Sequence, residues 1–347
     1  MHLVEINFWH NLLGLRFKPP SSSLVLLVVY VLIRIHRHRQ RRRQFVISRP
    51  RPDPDPTGPA GQILTRPTDP NCLTLSREWW YSEPVNNCKQ LKDLIMPKPR
   101  FTQFFSTDSA KAIKANKYGH LNAINYMAQA DTGSVGFKKY FTLCADASDG
   151  CRELCLGKYS GQAAIVTDLE NGMNATRKSR IAKAQWFMED NKAFMAEMNY
   201  HVHAMVRKAK REALTLVVRP NGSTDVKFEN IKNADGLSIF EQFPEVQFVD
   251  YTKNLKRMLN PNRPSNYHLT FSRSETNEHE AIQVLASGYN VAVVFGHGQP
   301  DRYLGHRVID GTEHDLRHLD PSPVIVGLDP KGKKAKNDTS GFVVRDY

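Results

Sequence analysis

Cysteine is scarce in this chain, five residues in 347, and three of the five crowd between positions 144 and 155. A secreted disulfide scaffold needs an even set spread along the chain, so this pattern favours free thiols or a metal in a reducing compartment. Long apolar runs are missing too. The one stretch that invites a membrane reading, residues 24–33 (LVLLVVYVLI), has ten residues, where a spanning helix needs roughly 17–25. Acids are absent from residues 34–51 (RIHRHRQRRRQFVISRPR), which hold eight arginines. Residues 1–55 carry a net +7 of the formal +13. Little positive charge is left to make the rest of the chain a general nucleic-acid-binding surface.

Beyond the arginines comes a proline-rich stretch, RPRPDPDPTGPAG at 49–61. Residues 1–61 are therefore read as an extension outside the fold, disordered or weakly membrane-associated. Its basic part suits contact with nucleic acid or with an anionic membrane, and the arginines would hold an inserted end on the cytoplasmic side. No small-residue cleavage site follows the apolar run, which argues against a secretory leader. Residues 62–136 read as an N-terminal layer, and residues 137–347 as an α/β core domain carrying the site.

Within that core a rhythm appears. Short apolar stretches at 140–143, 214–218, 246–249, 267–271, 291–295 and 324–328 read as strands covered on both faces. A long helical stretch spans 175–213, with Phe194, Met198, Val202 and Met205 on one face. Shorter helical stretches at 231–240, 253–259 and 277–285 separate later strands. Alternation of this kind predicts a parallel β/α barrel or a partial (β/α)6 barrel, with an open doubly wound sheet as the alternative. In such folds the loops after the strands gather at one end, where ligands bind.

Those loops are polar. The first carries CADASDGCRELC, with Cys144, Cys151 and Cys155 as C-x6-C-x3-C. Three thiolates can hold three irons of a four-iron cluster, or most of a zinc site; small buried residues are the bland reading. RPNGSTD at 219–225 supplies Arg219, Asn221 and Asp225, DYTK supplies Asp250, Tyr251 and Lys253, and SRSE supplies Ser274 and Glu275. Arg219 and Lys253 are expected to place anionic groups, and Asp225 or Glu275 to move protons, with Asn221, Asp250, Tyr251 and Ser274 lining the pocket. His201-Val202-His203 has the form of a histidine–hydrophobe–histidine metal motif, but in a helical pattern residues two apart point to different faces.

At these residues the chain resembles an uncharacterised family of phage and prophage proteins related to the gene product 88 domain. The matching blocks are CADASDGCRELCLG, VRPNGSTD, FPEVQFVDYTK, NYHLTFSRSETN, NVAVVF, VIDGTEHDLRHLDP and the segment from VIVGL to SGFV. Departures are small: Ala145 stands where the family has proline, Ser223-Thr224 where it has Thr-Ser, and Phe228-Glu229 where it has Trp-Glu. The resemblance implies a protein of a bacterial host's cytoplasm and no particular activity. The cysteine loop is also similar in placement to that of radical SAM enzymes, although those carry C-x3-C-x2-C. The leading expectation is thus an iron–sulfur enzyme using S-adenosylmethionine on an unknown substrate. The alternatives are a zinc-containing nucleic-acid-binding or processing protein and a non-catalytic phage accessory protein.

Overall fold

The computed structural model describes residues 99–347. The basic extension, the apolar run at 24–33 and the first part of the layer lie outside the described residues. Among the described residues the elements run α1 (Ala110–Asn116), β1 (His120–Ile124), α2 (Asp149–Glu153), α3 (Leu156–Tyr159), α4 (Ala175–Glu189), α5 (Asn191–Arg211) and β2 (Thr215–Arg219). They continue with α6 (Ile239–Gln242), β3 (Gln247–Thr252), α7 (Leu255–Met258), β4 (Tyr267–Ser272), α8 (Glu278–Ala286) and β5 (Val291–Phe295). The last are β6 (Arg302–Tyr303), β7 (His306–Asp310), β8 (Ile325–Leu328), α9 (Gly332–Lys336) and β9 (Val343–Val344). No described helix is long and apolar enough to cross a membrane.

The sheet is mixed but mostly parallel, in the order β1-β2-β3-β4-β5-β8-β7-β6, with β9 added to β5. The antiparallel pairings among the described residues are the β6–β7 hairpin and a single bridge between Ser106 and Ile124 of β1. Among the described residues no pairing joins β1 to β7 or β6, so the strand path stays open and the expected barrel is not closed. Neither is the sheet doubly wound. Five strands add in sequence order, and α4, α5, α6, α7 and α8 all contribute to the single large core on one face.

Side-chain alternation shows how the two faces differ. Tyr267, Leu269 and Phe271 of β4 join the helix-side core, as do Leu216 and Val218 of β2. Phe240 stacks on Tyr267 with ring centroids 3.9 Å apart. The second face is covered by α1 and by the segment after β7, where Leu316 packs on Ala115, Val217 and Val249. This smaller cluster sits in polar company: Asn122, Thr270 and Arg317 are each at most 1% exposed. The strands are therefore not uniformly apolar. Toward the helices they are mostly apolar, and behind, β1 to β4 mix polar residues with apolar ones.

Two expected elements differ. Residues 140–143 form no strand; Phe141 exchanges backbone bonds with the Ser134 hydroxyl instead, and Leu143 N–H donates to Ala130 O. The first strand is β1, twenty residues earlier in the chain order. The long helix at 175–213 is two helices, because Asp190 leaves helical geometry and its carboxylate caps Ala193 N at 2.9 Å. In α5 the side chain of His201 is buried, and His203 stands against the Phe243 ring at 4.7 Å. The two histidines do not share a face.

Candidate functional site at the C-terminal ends of the strands

The loop after β2 is built by Asn221. Its Oδ1 accepts from Thr224 Oγ1 and Val226 N at 2.8 Å, while its Nδ2 donates to Val226 O and to Asp250 Oδ2. Gly222 lies against β1's exit: its N–H donates to Asn125 O, and a Cβ there would stand 2.7 Å from that same oxygen. Any side chain would push the two strand ends apart.

Asp250 also accepts from Asn221 N and from the Tyr267 hydroxyl. Burial raises its carboxyl to about 6, with Arg257, Arg219 and its hydrogen bonds opposing. Arg219 lies 4.7 Å over the Tyr251 ring, and its Nη1 is 3.3 Å from Asp315 Oδ2. Tyr251 donates to the other oxygen of Asp315, and burial followed by that carboxylate raises its phenol.

Asp225 accepts from Thr252 Oγ1 and Lys253 N at 3.1 and 3.0 Å and is ion-paired with Arg257. Burial outweighs that pairing and raises its carboxyl. Arg257 in turn grips Glu229 through Nε and Nη2, and donates to Val226 O and to the Tyr267 hydroxyl. Lys253 Nζ donates to Ser272 Oγ at 2.6 Å, beside the Phe342 ring. Among the described residues no carboxylate stands within ion-pair distance of that ammonium. Ser274 N–H is held by Asn277 Oδ1.

The cysteine loop crosses the same strand ends. Leu143 O accepts from Asp225 N, Asp146 accepts from Asn254 Nδ2, and Glu275 accepts from Ser148 Oγ and Gly150 N, both at 2.8 Å. Glu275 thereby supplies a carboxylate at the start of α2, where Ser148 also receives Cys151 N. The cysteine loop, Asp225, Lys253 and Glu275 therefore meet at one rim.

The thiols themselves do not form a ready metal cradle. Cys144 Sγ accepts from Ala130 N at 3.3 Å and faces Ser223 O. Burial pushes Cys144 up to about 11 and Cys155 up to about 12, which disfavours the thiolates that bind metals. Among the described residues no three His, Cys, Asp or Glu side chains are grouped so as to hold a metal ion. All three cysteines are free.

Sequence reasoning missed Arg257, which sits in a stretch read as an ordinary helix, and Ser148 and Asn254, whose partners lie more than a hundred residues away. Asp315 lies in a noticed motif, but nothing local tied it to Arg219.

Fold and rim together define an α/β protein with a mostly parallel sheet and a polar, thiol-bearing mouth at the strand ends. A family model described as Gene product 88 matches residues 103–346, and the chain belongs to that family. No curated protein and no solved structure matches it.

Proposed function

We propose that the domain is an enzyme acting on a small anionic molecule at the C-terminal rim of its sheet. The observation that carries this reading is the pinning of the cysteine loop across β2, β3 and β4 beside Lys253. A half-buried ammonium there has a hydroxyl and an aromatic ring for company and, among the described residues, no carboxylate within ion-pair distance, an arrangement suited to an incoming anion. Asp225 and Glu275 carry a different part than acid–base transfer. Their oxygens are occupied by Arg257, Thr252, Ser148 and backbone N–H groups, so they fix the rim and its loop.

Cys151 is the thiol this reading brings to the substrate, since it sits on the short helix that Glu275 holds. The same loop is where an iron–sulfur cluster with S-adenosylmethionine, or a zinc ion, would be carried under the metal readings. The grouping of the side chains favours neither.

Thermal-shift titration with AMP and ATP, on wild type and Lys253→Met, tests the rim. Stabilisation by either probe that disappears in Lys253→Met is expected; stabilisation unchanged in that variant would sink the proposal. Elemental analysis and an absorbance spectrum of anaerobically purified protein separate the metal readings. Iron with a visible absorption band would restore the cluster reading, and stoichiometric zinc the nucleic-acid one. A Cys151→Ser variant that only loses stability, with probe binding and any measured turnover intact, would favour a structural accessory protein.

A further inference from the structure

A second cleft lies at the opposite end of the strands. It measures about 320 Å³ and opens among the starts of β3 and β4 and the loops leading into β4 and β5. Asn260, Arg263, His268, Tyr289 and His318 are among its walls. The Arg263 guanidinium donates once among the described residues, to Met258 O at 2.7 Å, and it lies 5.5 Å from the Tyr289 ring centre. Among the described residues no carboxylate comes within ion-pair distance of it. The buried atoms His268 Nε2 and His318 Nδ1 have no hydrogen-bond partner among the described residues.

The surroundings are cationic. His268 feels His318, Arg263 and Arg317, and His318 feels His120, His314 and Arg317. The facing acid, Asp320, is already 3.1 Å from Arg317, and Asp315 is engaged with Arg219. Burial first, and these cations second, hold both imidazoles down at about 4, so at neutral pH each ring is uncharged and keeps one N–H to give. The cleft thus gathers hydrogen-bond donors and the Arg263 charge, and among the described residues no carboxylate is paired with that charge.

We propose that this cleft binds a small divalent oxyanion, namely a phosphate group, either free or on a small phosphomonoester. It is separate from the rim and does not depend on the reading given to Lys253. Arg263 supplies the charge, and His268 and His318 each turn an N–H onto an oxygen. A bound dianion would favour protonation of both imidazoles, so binding should take up protons.

Calorimetric titration of the full chain with inorganic phosphate tests the site. Saturable one-to-one binding is expected, weakened about tenfold or more in Arg263→Gln and, as a second variant should that one fold poorly, in His318→Gln. Ribose 5-phosphate is the second arm: tighter binding than phosphate points to an ester, equal or weaker binding to the free anion. Sulfate, whose charge is constant over the range, should bind more tightly as pH falls from 8 to 5.5. No binding of either phosphate probe, binding unchanged in both variants, binding lost in Lys253→Met instead, or a sulfate affinity independent of pH would each overturn the assignment.

Discussion

Glu275 is the residue whose replacement best separates an anchoring carboxylate from a catalytic one. Its two oxygens receive Ser148 Oγ and Gly150 N, each at 2.8 Å, and the Ser148 hydroxyl receives Cys151 N in turn. A hydrogen bond to a charged group contributes roughly 1.5–3 kcal/mol where water is excluded. Glu275→Ala removes two, in a place only partly shielded, so a local loss near ~3 kcal/mol follows. That corresponds to roughly a hundredfold rise in the population of the opened loop. Glu275→Gln keeps an acceptor for Gly150 N and should lose about 1 kcal/mol. The assay is hydrogen exchange of the α2 amides, paired with the rate of Cys151 alkylation under conditions where opening is pre-equilibrated. Faster exchange and labelling in the order Ala, Gln, wild type, with a global urea midpoint that moves less, is the expected result. If Glu275→Ala leaves both rates at wild-type values, the carboxylate does not hold the loop and the reasoning fails.

Arg257→Ala should be more costly, because it strands the carboxylates of Asp225 and Glu229, both largely shielded from water. Breaking a buried pair from one side costs about 3–5 kcal/mol, to be read from the urea midpoint at constant slope; a loss below about 1 kcal/mol would show that the network is solvated. The pH dependence follows from four groups. Asp250 and Asp320 are raised to about 6 by burial, so what they contribute is present in full at low pH and is lost as pH rises through 6. His268 and His318 are lowered to about 4, so what they contribute is present at neutral pH and is lost as pH falls through 4. The two pairs oppose each other between pH 4 and 6. In a His268→Gln, His318→Gln double variant, stability relative to wild type should therefore climb on acidification from about 6.5 to 4, and urea midpoints that run parallel for the two proteins would refute the assignment.

How much of this was legible beforehand depends on what a local pattern encodes. The strands at 214–218, 246–249, 267–271, 291–295 and 324–328 were found to within a few residues, because each couples β-branched or aromatic residues to a polar loop. Residues 140–143 were misread for an instructive reason. Phe141 and Leu143 are buried but Tyr140 is exposed, so the stretch is not covered on both faces as read, and apolar character does not decide whether a backbone pairs with a neighbouring strand. The missed strand β1 carries His120 and Asn122 on its second face and so lacked an apolar run. Barrel closure was beyond reach for a similar reason, since no short segment states whether the last strand returns to the first. At the rim the residue types were legible and their partners were not. Asp225 meets Arg257 across 32 positions and Glu275 meets Ser148 across 127. A carboxylate after a strand looks the same in sequence whether it waits for a substrate or holds a loop.

The second face of the sheet ties the rim to the distal cleft. A buried polar atom without a partner costs about 1–3 kcal/mol; among the described residues Asn122 and Thr270 carry such atoms beneath the segment after β7, and Arg317 carries one, its Nε, within that segment. A sheet meant only to be covered would place valine or leucine there, as it does at Val217 and Val249, which meet Leu316 of the covering segment. Instead Arg219, Tyr251 and Lys253 lead along that face to the rim, while His268 opens on the cleft at the other end. Stability alone gives no reason for such a layer, because hydrophobic replacements of similar volume would serve it as well or better. Polar groups buried at a cost along one face, with Lys253 at one end and Arg263 at the other out of ion-pair distance of any carboxylate among the described residues, are what a protein needs if anions are to be held at those ends.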